Sequence, residues 1–151
     1  MTTPHLGNKI IILSNQVKHC LHQASEVEGI SGAQGRILHI LSVQPDNEPL
    51  YQKDLEEIFH LSRSTVAQTI QTMEKNGLLT RSSVSQDARL KKLEITDKGR
   101  EINARIGSHV IAMEQELSRS LTEEEIQTFL RVMDKLGERM KQNLMWKGEN
   151  T

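Results

Sequence analysis

Hydrophobic side chains recur at intervals of three and four residues along most of the chain, which is the spacing of one face of an α-helix. Between the fourth and fifth helical runs the pattern changes. Residues 79–84 and 91–96 have strand-like composition, and the polar residues 85–90 suit a hairpin tip. The sequence therefore predicts a mainly α fold with a small two-stranded antiparallel β-wing. The predicted helices cover residues 8–28, 32–44, 51–59, 63–76, 97–118 and 123–145.

The helix predicted at residues 63–76 has clear start and stop signals. Ser62 precedes it, and a serine hydroxyl there can accept a hydrogen bond from an otherwise unpaired amide of the first turn. Gly77 follows it and can adopt the left-handed conformation that commonly ends a helix. Between these limits we expect one buried apolar stripe, formed by Val66, Ile70 and Met73.

The face opposite this stripe carries mostly short hydroxyl and amide side chains. Such groups can enter a DNA major groove and bond to base edges, whereas an ordinary solvated helix face more often carries Glu and Lys. Taken alone, the face also fits an ordinary solvated surface. Its members are Ser64, Gln68, Gln71, Thr72 and Lys75, with Thr65 and Thr69 on the flank.

The neighbouring segments favour DNA binding. Upstream, residues 51–59 place Leu55, Ile58 and Phe59 on one helical face, and a short turn leads into Ser62. This is the order of a helix-turn-helix. Downstream, alternation in the second predicted strand leaves one face apolar, with Leu93 and Ile95, and the other polar, with Lys92 and Glu94. The combination predicts a winged helix-turn-helix that binds duplex DNA.

Positive charge is concentrated near the predicted wing, although the whole chain has a formal net charge of −1. Residues 75–100 contain seven Lys or Arg against three Asp or Glu, whereas residues 101–151 contain seven against nine. A basic patch on a nearly neutral chain indicates phosphate contacts confined to the wing and its base. We expect Arg81, Lys91 and Lys92 to hold phosphates.

Three further motifs occur in order: Ile30-Ser31-Gly32-Ala33-Gln34, Asp87-Ala88-Arg89 and Leu93-Glu94-Ile95-Thr96-Asp97-Lys98-Gly99. With these motifs at these spacings, nearly the whole chain resembles the MarR family of bacterial transcription regulators. The resemblance implies a homodimer whose recognition helices enter successive major grooves of double-stranded DNA. It also implies that Arg89 reaches a minor groove while Asp87 holds the wing. A local ion pair that closes the hairpin is the alternative for these two residues.

The residues that we predict to contact DNA lie on the fourth helix and the wing. The predicted function is sequence-specific transcriptional regulation by a homodimer at an inverted-repeat operator. The resemblance further implies a repressor relieved by a small aromatic or lipophilic effector, bound between the dimerisation helices and the DNA-binding lobe. The predicted DNA-binding residues are Ser62, Arg63, Ser64, Thr65, Gln68, Thr69, Thr72, Lys75, Arg81, Asp87, Arg89 and Lys91.

Three long helices carry more apolar surface than a small winged helix needs to cover itself. We therefore expect residues 1–45 and 101–151 to form a helical dimerisation region and residues 46–100 the DNA-binding region, within one compact domain. An intramolecular bundle alone is the alternative. A capping box at Thr122 and Glu125 is expected to start the last helix. The stripes are Leu6, Ile10, Leu13, Val17, Cys20, Ala24 and Val27; Ile102, Ile106, Val110, Met113 and Leu117; and Ile126, Phe129, Leu130, Met133, Leu136, Met140 and Leu144.

Cys20 lies between His19 and His22, which raises two alternatives, redox sensing by the thiol and metal sensing by the histidines. Its place on the apolar stripe of the first helix favours an inert buried thiol. It also lies about 100° around the helix from His19, so Cys20 and the two histidines cannot easily face one metal ion. His39 and His109 are candidate pocket residues, but ordinary interior or surface histidines explain them as well. We predict no metal site and no cofactor.

Other function classes lack support in the sequence. It has no Gly-rich phosphate loop, HExxH or nucleophile elbow, so nothing recommends an enzyme. It has no run of about 18 apolar residues and no signal-peptide pattern, so we expect a soluble, cytoplasmic protein away from membranes. A protein-binding dimerisation module that has lost DNA binding is the rival of another class. The intact basic wing argues against it.

Overall fold

The computed structural model describes residues 5–84 and 86–144, without the side chains of residues 88, 143 and 144. All six predicted helices are present, with ends within two residues of the predicted ones. The predicted helix end at residue 145, the hairpin-tip residue Ser85 and the side chains of Ala88 and Leu144 lie outside the described part. The elements are α1 (Leu6–Glu26), α2 (Gly32–Val43), β1 (Leu50–Tyr51), α3 (Gln52–Phe59), α4 (Arg63–Lys75), β2 (Leu79–Val84), β3 (Asp87–Ile95), α5 (Asp97–Arg119) and α6 (Glu123–Leu144).

The predicted two-stranded wing is present as the antiparallel pair β2 and β3, and a third strand, β1, extends the sheet in the order β1-β3-β2. The extra strand, β1, pairs Leu50 with Leu93 and Tyr51 with Lys92. Two residues are too few to show an alternating pattern, and the helical spacing predicts Tyr51 as the start of a helix and not as part of a strand. The mainly α fold with a small antiparallel sheet is confirmed.

Strand β3 begins at Asp87, four residues earlier than predicted. The polar composition of residues 87–90 predicts a hairpin tip, but Val84 pairs with Asp87 after an irregularity between Ser83 and Val84. The wing is therefore a longer ribbon. Both Asp87 and Arg89 lie on a paired strand and not in a free loop.

The chain divides into two units, Met1–Ile111 and Ala112–Thr151, with the boundary inside α5. The core of the first unit joins the helix-turn-helix, the sheet and α2, and its side chains are aliphatic or Met. Each such buried side chain contributes about 1.5–3 kcal/mol relative to an exposed one. The side chains with the least exposure are Leu38, Leu55, Val66, Ile70, Met73, Leu78 and Leu79.

Two side chains on predicted apolar helix faces, Ile58 and Cys20, lie at the surface of the single chain. Ile58 is 45% exposed, because on the short helix α3 only the side of Leu55 and Phe59 meets the core. Cys20 is exposed, so the expectation of a buried thiol was wrong for one copy of the chain. The apolar stripe of α1 reaches the core only at Ala24, near the C-terminal end of the helix, where α1 packs on α2.

Glu28 connects the turn after α1 to α5. Its Oε2 accepts a hydrogen bond from Nε of Arg105 at 2.6 Å, and its Oε1 lies 3.5 Å from Nε2 of His109. The hydrogen bond from the Arg105 guanidinium holds the pKa of the Glu28 carboxyl below its ordinary value. Gly29 follows with φ of +79°, a left-handed conformation that favours glycine and turns the chain toward α2.

The second unit contains the end of α5 and the whole of α6. The predicted capping box is present, with the Glu125 amide donating to Oγ1 of Thr122 at 3.2 Å and the Thr122 amide donating to Oε2 of Glu125 at 2.8 Å. The apolar stripe of α6 is largely uncovered, with Phe129 48% and Leu130 51% exposed. No described helix is long and apolar enough to cross a membrane.

Candidate nucleic-acid interface

Three hydroxyl groups form the start of α4. Ser62 has extended backbone angles, and its Oγ accepts a hydrogen bond from the amide of Thr65 at 3.2 Å, which confirms the predicted cap. Its Oγ also lies 2.8 Å from Oγ1 of Thr65 and 3.1 Å from Oγ of Ser64. These three side chains therefore fix the first turn, whose partial positive charge favours a phosphate nearby.

The two faces of α4 differ as the sequence predicts. Val66, Ile70 and Met73 are at most 2% exposed, whereas the side chains of the opposite face lie in solvent. The hydroxyls of Thr69 and Thr72 donate to the carbonyls of Thr65 and Gln68, so they offer only acceptors and methyl groups to a partner. The exposed positions are Ser64, Thr65, Gln68, Gln71, Thr72 and Lys75, with Thr69 half-buried.

Gln68 differs from these threonines. Among the described residues, its side-chain amide has no hydrogen-bond partner, although its backbone carbonyl accepts from Thr72. Both the amide donors and the carbonyl acceptor of the side chain are thus open to an incoming group. That pair matches the acceptor and donor that adenine presents in the major groove.

A groove of about 700 Å³ lies between helices α3 and α4 and the wing. Five of its ten lining residues are Lys or Arg, and Glu56 is the one acid among them. A concave surface with this balance concentrates positive potential and attracts a polyanion. The lining residues are Tyr51, Gln52, Lys53, Glu56, Arg63, Ala67, Arg81, Arg89, Leu90 and Lys91.

The wing residues Asp87 and Arg89 contact each other through the backbone. The amide of Arg89 donates to Oδ1 of Asp87 at 2.9 Å, whereas the ion pairs of the described residues include none between their charged groups. Arg89 is one of the residues that line the groove. Lys91 also lines the groove, and its Nζ donates to Oγ of Ser83 across the ribbon at 2.7 Å.

Comparison with known proteins assigns a family to the part of the chain that contains this groove. Residues 28–90, which run from the turn before α2 into strand β3, match the family model described as the MarR family. This segment belongs to the MarR family. The resemblance seen in the sequence is thereby confirmed.

Solved structures give the same fold over most of the chain. Wild-type MarR from E. coli, in its apo form, has 18% identity and a TM-score of 0.76, covering 90% of this chain and 98% of that one. The S. aureus MepR-DNA complex has 24% identity and a TM-score of 0.78, with 91% and 99% covered. A mutant MarR from E. coli complexed with operator DNA has 19% identity and a TM-score of 0.72, with 87% and 92% covered.

The match of residues 28–90 to the MarR family gives the general class of the protein. Regulators of this family bind DNA and control transcription, and they are not enzymes. The predictions of a DNA-binding transcriptional regulator and of a non-enzymatic protein are confirmed at this level. The roles of individual residues at the MarR-type interface are a separate question.

Among the phosphate contacts expected in the MarR-type wing, Arg81 has a partner within the chain. Its Nη2 lies 3.1 Å from Oε2 of Glu74 on α4, and both side chains are about one-third exposed, at 32% and 37%. Lys92 is likewise paired with Glu94, at 2.9 Å. Arg81 must therefore leave or share Glu74 before it can hold a phosphate.

Sequence reasoning missed two charged residues of this groove, Lys53 and Glu56 on α3. The polar side of the predicted helix 51–59 was the signal available for them, but only the fold places it beside Arg63 and the wing. Of the predicted residues, Arg63, Arg81, Arg89 and Lys91 line the groove together. Gln68, Thr72 and Lys75 lie further along the exposed face of α4 and not in the groove lining.

The histidines do not form a metal centre with Cys20 in the described part of the chain, where no group of three His, Cys, Asp or Glu could hold an ion. His22 packs against Gly32, where a Cβ would lie 2.2 Å from Cδ2 of the ring. His39 is exposed, and His109 faces Glu28. These positions are structural or solvated.

Proposed function

We propose that this chain is a homodimeric transcriptional regulator that binds an inverted-repeat operator. In this proposal α4 contacts base edges, and the wing also binds the DNA. The observation that carries the proposal is the basic groove between the first turn of α4 and strand β3. The side-chain amide of Gln68, which bonds to no other residue in the described part of the chain, lies on the exposed face of the same helix. The base-reading group thus lies on a helix, α4, that also forms one side of the phosphate-binding groove.

Gln68 is the proposed base reader. Its amide can donate to and accept from one adenine edge, a pairing that contributes about 1–3 kcal/mol of discrimination against a wrong base. The hydroxyls of Thr69 and Thr72 are already bonded to the helix backbone. Their methyl groups suit contacts with thymine methyls or the sugar-phosphate backbone, so they refine the fit.

Arg63, Lys53 and Lys91 are proposed to hold phosphates along the groove, with Ser62, Ser64, Thr65 and Lys75 at the two ends of α4. Arg89 extends from the wing toward a minor groove, where a narrow groove has enhanced negative potential. Asp87 supports it by accepting the Arg89 amide, which leaves the guanidinium available.

The exposed apolar stripes of α1 and α6 support the dimer, because a second copy is the simplest way to remove such surfaces from water. A two-fold dimer requires an inverted repeat with half-sites about 10 base pairs apart. MepR and a mutant MarR, which share this fold, have been solved with DNA. This favours the same use of the fold here.

Repression relieved by a small aromatic or lipophilic effector completes the proposal. Such an effector would act by preferring a dimer in which the recognition helices no longer match the operator spacing. Its effect on operator affinity cannot exceed its own difference in affinity between the two forms. The family resemblance supports this part.

Selection from a random-sequence duplex library tests the proposal. The purified chain should enrich an inverted repeat, and a Gln68→Ala/Arg89→Ala double variant should not. Recovery of an unchanged library by the wild-type chain would contradict sequence-specific DNA binding. Enrichment of isolated half-sites would retain DNA binding but contradict the two-fold dimer.

A further inference from the structure

The C-terminal end of α4 closes with a left-handed glycine. Gly77 has φ of +72°, its amide donates to the carbonyl of Glu74, and the amide of Leu78 donates to the carbonyl of Met73. These bonds satisfy carbonyls inside the last turn. The carbonyls of Asn76, Gly77 and Leu78 still need donors from elsewhere.

All three donors come from residues at the start of α5. Nζ of Lys98 donates to the Asn76 carbonyl at 2.9 Å, and Oγ1 of Thr96 donates to the Gly77 carbonyl at 2.6 Å. The amide of Thr96 donates to the Leu78 carbonyl at 3.2 Å. We call these three bonds, from Thr96 and Lys98 to the end of α4, the α4–α5 clamp.

Thr96 also starts α5. Its Oγ1 accepts a hydrogen bond from the amide of Gly99 at 3.0 Å, which is the geometry of a helix N-cap. Gly99 allows the close approach, because a Cβ there would lie 2.2 Å from the Leu78 carbonyl oxygen. A single hydroxyl therefore joins the end of α4 to the start of α5.

We propose that Thr96 and Lys98 are positioning residues for DNA binding: the α4–α5 clamp fixes the orientation of α4 while neither side chain contacts DNA. The inference rests on the proposed function of α4. Hydrogen bonds to base edges require donor and acceptor atoms about 2.7–3.2 Å apart, whereas phosphate attraction falls off slowly with distance. Loosening the clamp should therefore weaken sequence-specific binding more than non-specific binding.

Thr96→Val removes both hydrogen bonds of the hydroxyl and keeps the shape of the side chain. The probes are the duplex that the wild-type chain selects and a random-sequence duplex of the same length. We expect about tenfold weaker binding to the selected duplex, which corresponds to a loss of about 1.4 kcal/mol, with random-duplex binding unchanged. Thr96→Ser should restore selective binding, and Thr128→Val on α6 is the matched control.

Lys98→Met tests whether this lysine holds Asn76 or a phosphate. If Lys98 is a positioning residue, Lys98→Met should lower affinity for the selected duplex and leave the slope of log affinity against log salt unchanged. A phosphate contact would instead weaken both duplexes and flatten the slope by about 0.9 per subunit. That second result would remove Lys98 from the proposal.

Hydrogen exchange tests the clamp without DNA. In Thr96→Val, the amides of Asn76, Gly77, Leu78 and Gly99 should exchange faster, whereas those of α2 and α6 should not change. Thr96→Asp separates the two roles, because an ionised carboxylate can accept from Gly99 but cannot donate to the Gly77 carbonyl. It should protect Gly99 and still expose the end of α4.

The outcomes separate this inference from the proposed function. If the wild-type chain selects no sequence, the proposed function fails, and the clamp is judged on hydrogen exchange alone. If Thr96→Val keeps wild-type preference for the selected duplex, or weakens both duplexes equally, the positioning role is contradicted. Unchanged exchange at residues 76–78 would contradict the clamp itself.

Discussion

Helices α4 and α6 carry the same kind of apolar stripe and use it differently. The stripe of α4 disappears into the core of its own chain, with Ile70 and Met73 at 0% exposure. The stripe of α6 stays in solvent, with Phe129, Leu130 and Met133 between 38% and 51% exposed. Periodicity therefore shows that a helix has a face to bury, and it does not show which chain supplies the partner.

The polar faces reinforce the contrast. The outward face of α4 offers short polar groups beside a basic groove, whereas α6 begins with three glutamates, Glu123, Glu124 and Glu125. An acidic start suits the helix dipole of α6 but opposes a phosphate backbone. This contrast fits the proposal that α4 and the wing contact DNA and that the apolar stripes mediate self-association.

The largest expected effect comes from charging the exposed stripe of α6. Leu130→Glu should leave the monomer folded but prevent dimerisation, because an unpaired carboxylate buried in an interface costs about 3–5 kcal/mol. Sedimentation equilibrium and binding to the selected duplex report the two consequences. Lys135→Glu, on another side of α6, is the control. A dimeric Leu130→Glu chain would show that this stripe serves another purpose.

The next largest effect concerns the wing. Arg89→Ala should weaken binding strongly and flatten the salt dependence by roughly 0.9 for each phosphate that is no longer neutralised, or about 1.8 per dimer. Thermal stability should hardly change, because the observed contact to Asp87 uses the backbone amide. Arg131→Ala on α6 provides a basic control. Normal binding with an unchanged salt slope would reduce the wing to a structural ribbon.

Gln68→Ala tests base reading on α4. We expect a loss of about 1–3 kcal/mol on the selected duplex and little change on random duplex. Fluorescence anisotropy titrations with both duplexes measure the difference. Gln142→Ala, an exposed glutamine of α6, should change neither affinity. Equal losses on both duplexes in Gln68→Ala would exclude a base-reading role.

Glu74→Gln should strengthen DNA binding. The ion pair with Arg81 is partly exposed and worth at most about 1 kcal/mol, so its loss should hardly destabilise the fold. Freed from Glu74, Arg81 can hold a phosphate, and the salt dependence should steepen by up to about 0.9 per subunit. Glu138→Gln, which breaks a similar pair with Lys141 on α6, is the matched control. Unchanged affinity would show that Arg81 remains outside the interface.

The smallest effect is a pH dependence of stability that involves Glu28. Because its folded pKa lies below the ordinary value of 4.5, the carboxylate stabilises the fold fully above that value. This contribution is lost as the pH falls through the lowered pKa. Wild-type Tm should therefore exceed that of Glu28→Gln at neutral pH and converge with it in acid. Glu26→Gln is the control, and a constant Tm difference at all pH values would contradict the assignment.

The sequence predicted the helices well because their signals are local. Ser62 and Gly77 mark the two ends of α4 by chemistry that acts within one turn. Strand β1 was not predicted because two residues show no periodicity, and because its pairing with Leu93 and Lys92 depends on residues far along the chain. The polar start of β3 was not predicted as a strand because composition alone does not reveal strand pairing.

The candidate site was predicted only as far as single elements show it. The outward face of α4 follows from its spacing, and Arg89 follows from the resemblance. Lys53 lines the groove only because α3 packs beside α4 and the wing. The ion pair between Glu74 and Arg81 likewise connects two elements, α4 and β2. Such contacts depend on tertiary geometry, which no local pattern encodes.

The most direct test of the proposed two-fold dimer changes the spacing between the two half-sites of the selected duplex. If two α4 helices in one dimer read half-sites about 10 base pairs apart, an insertion of about 5 base pairs rotates one half-site to the opposite face of the DNA. We predict that binding then falls to the level of random duplex. An insertion of about 10 base pairs should return both half-sites to one face of the DNA but leave them too far apart for one dimer to contact both. Undiminished binding to the duplex with the shorter insertion would contradict a fixed two-fold arrangement of α4.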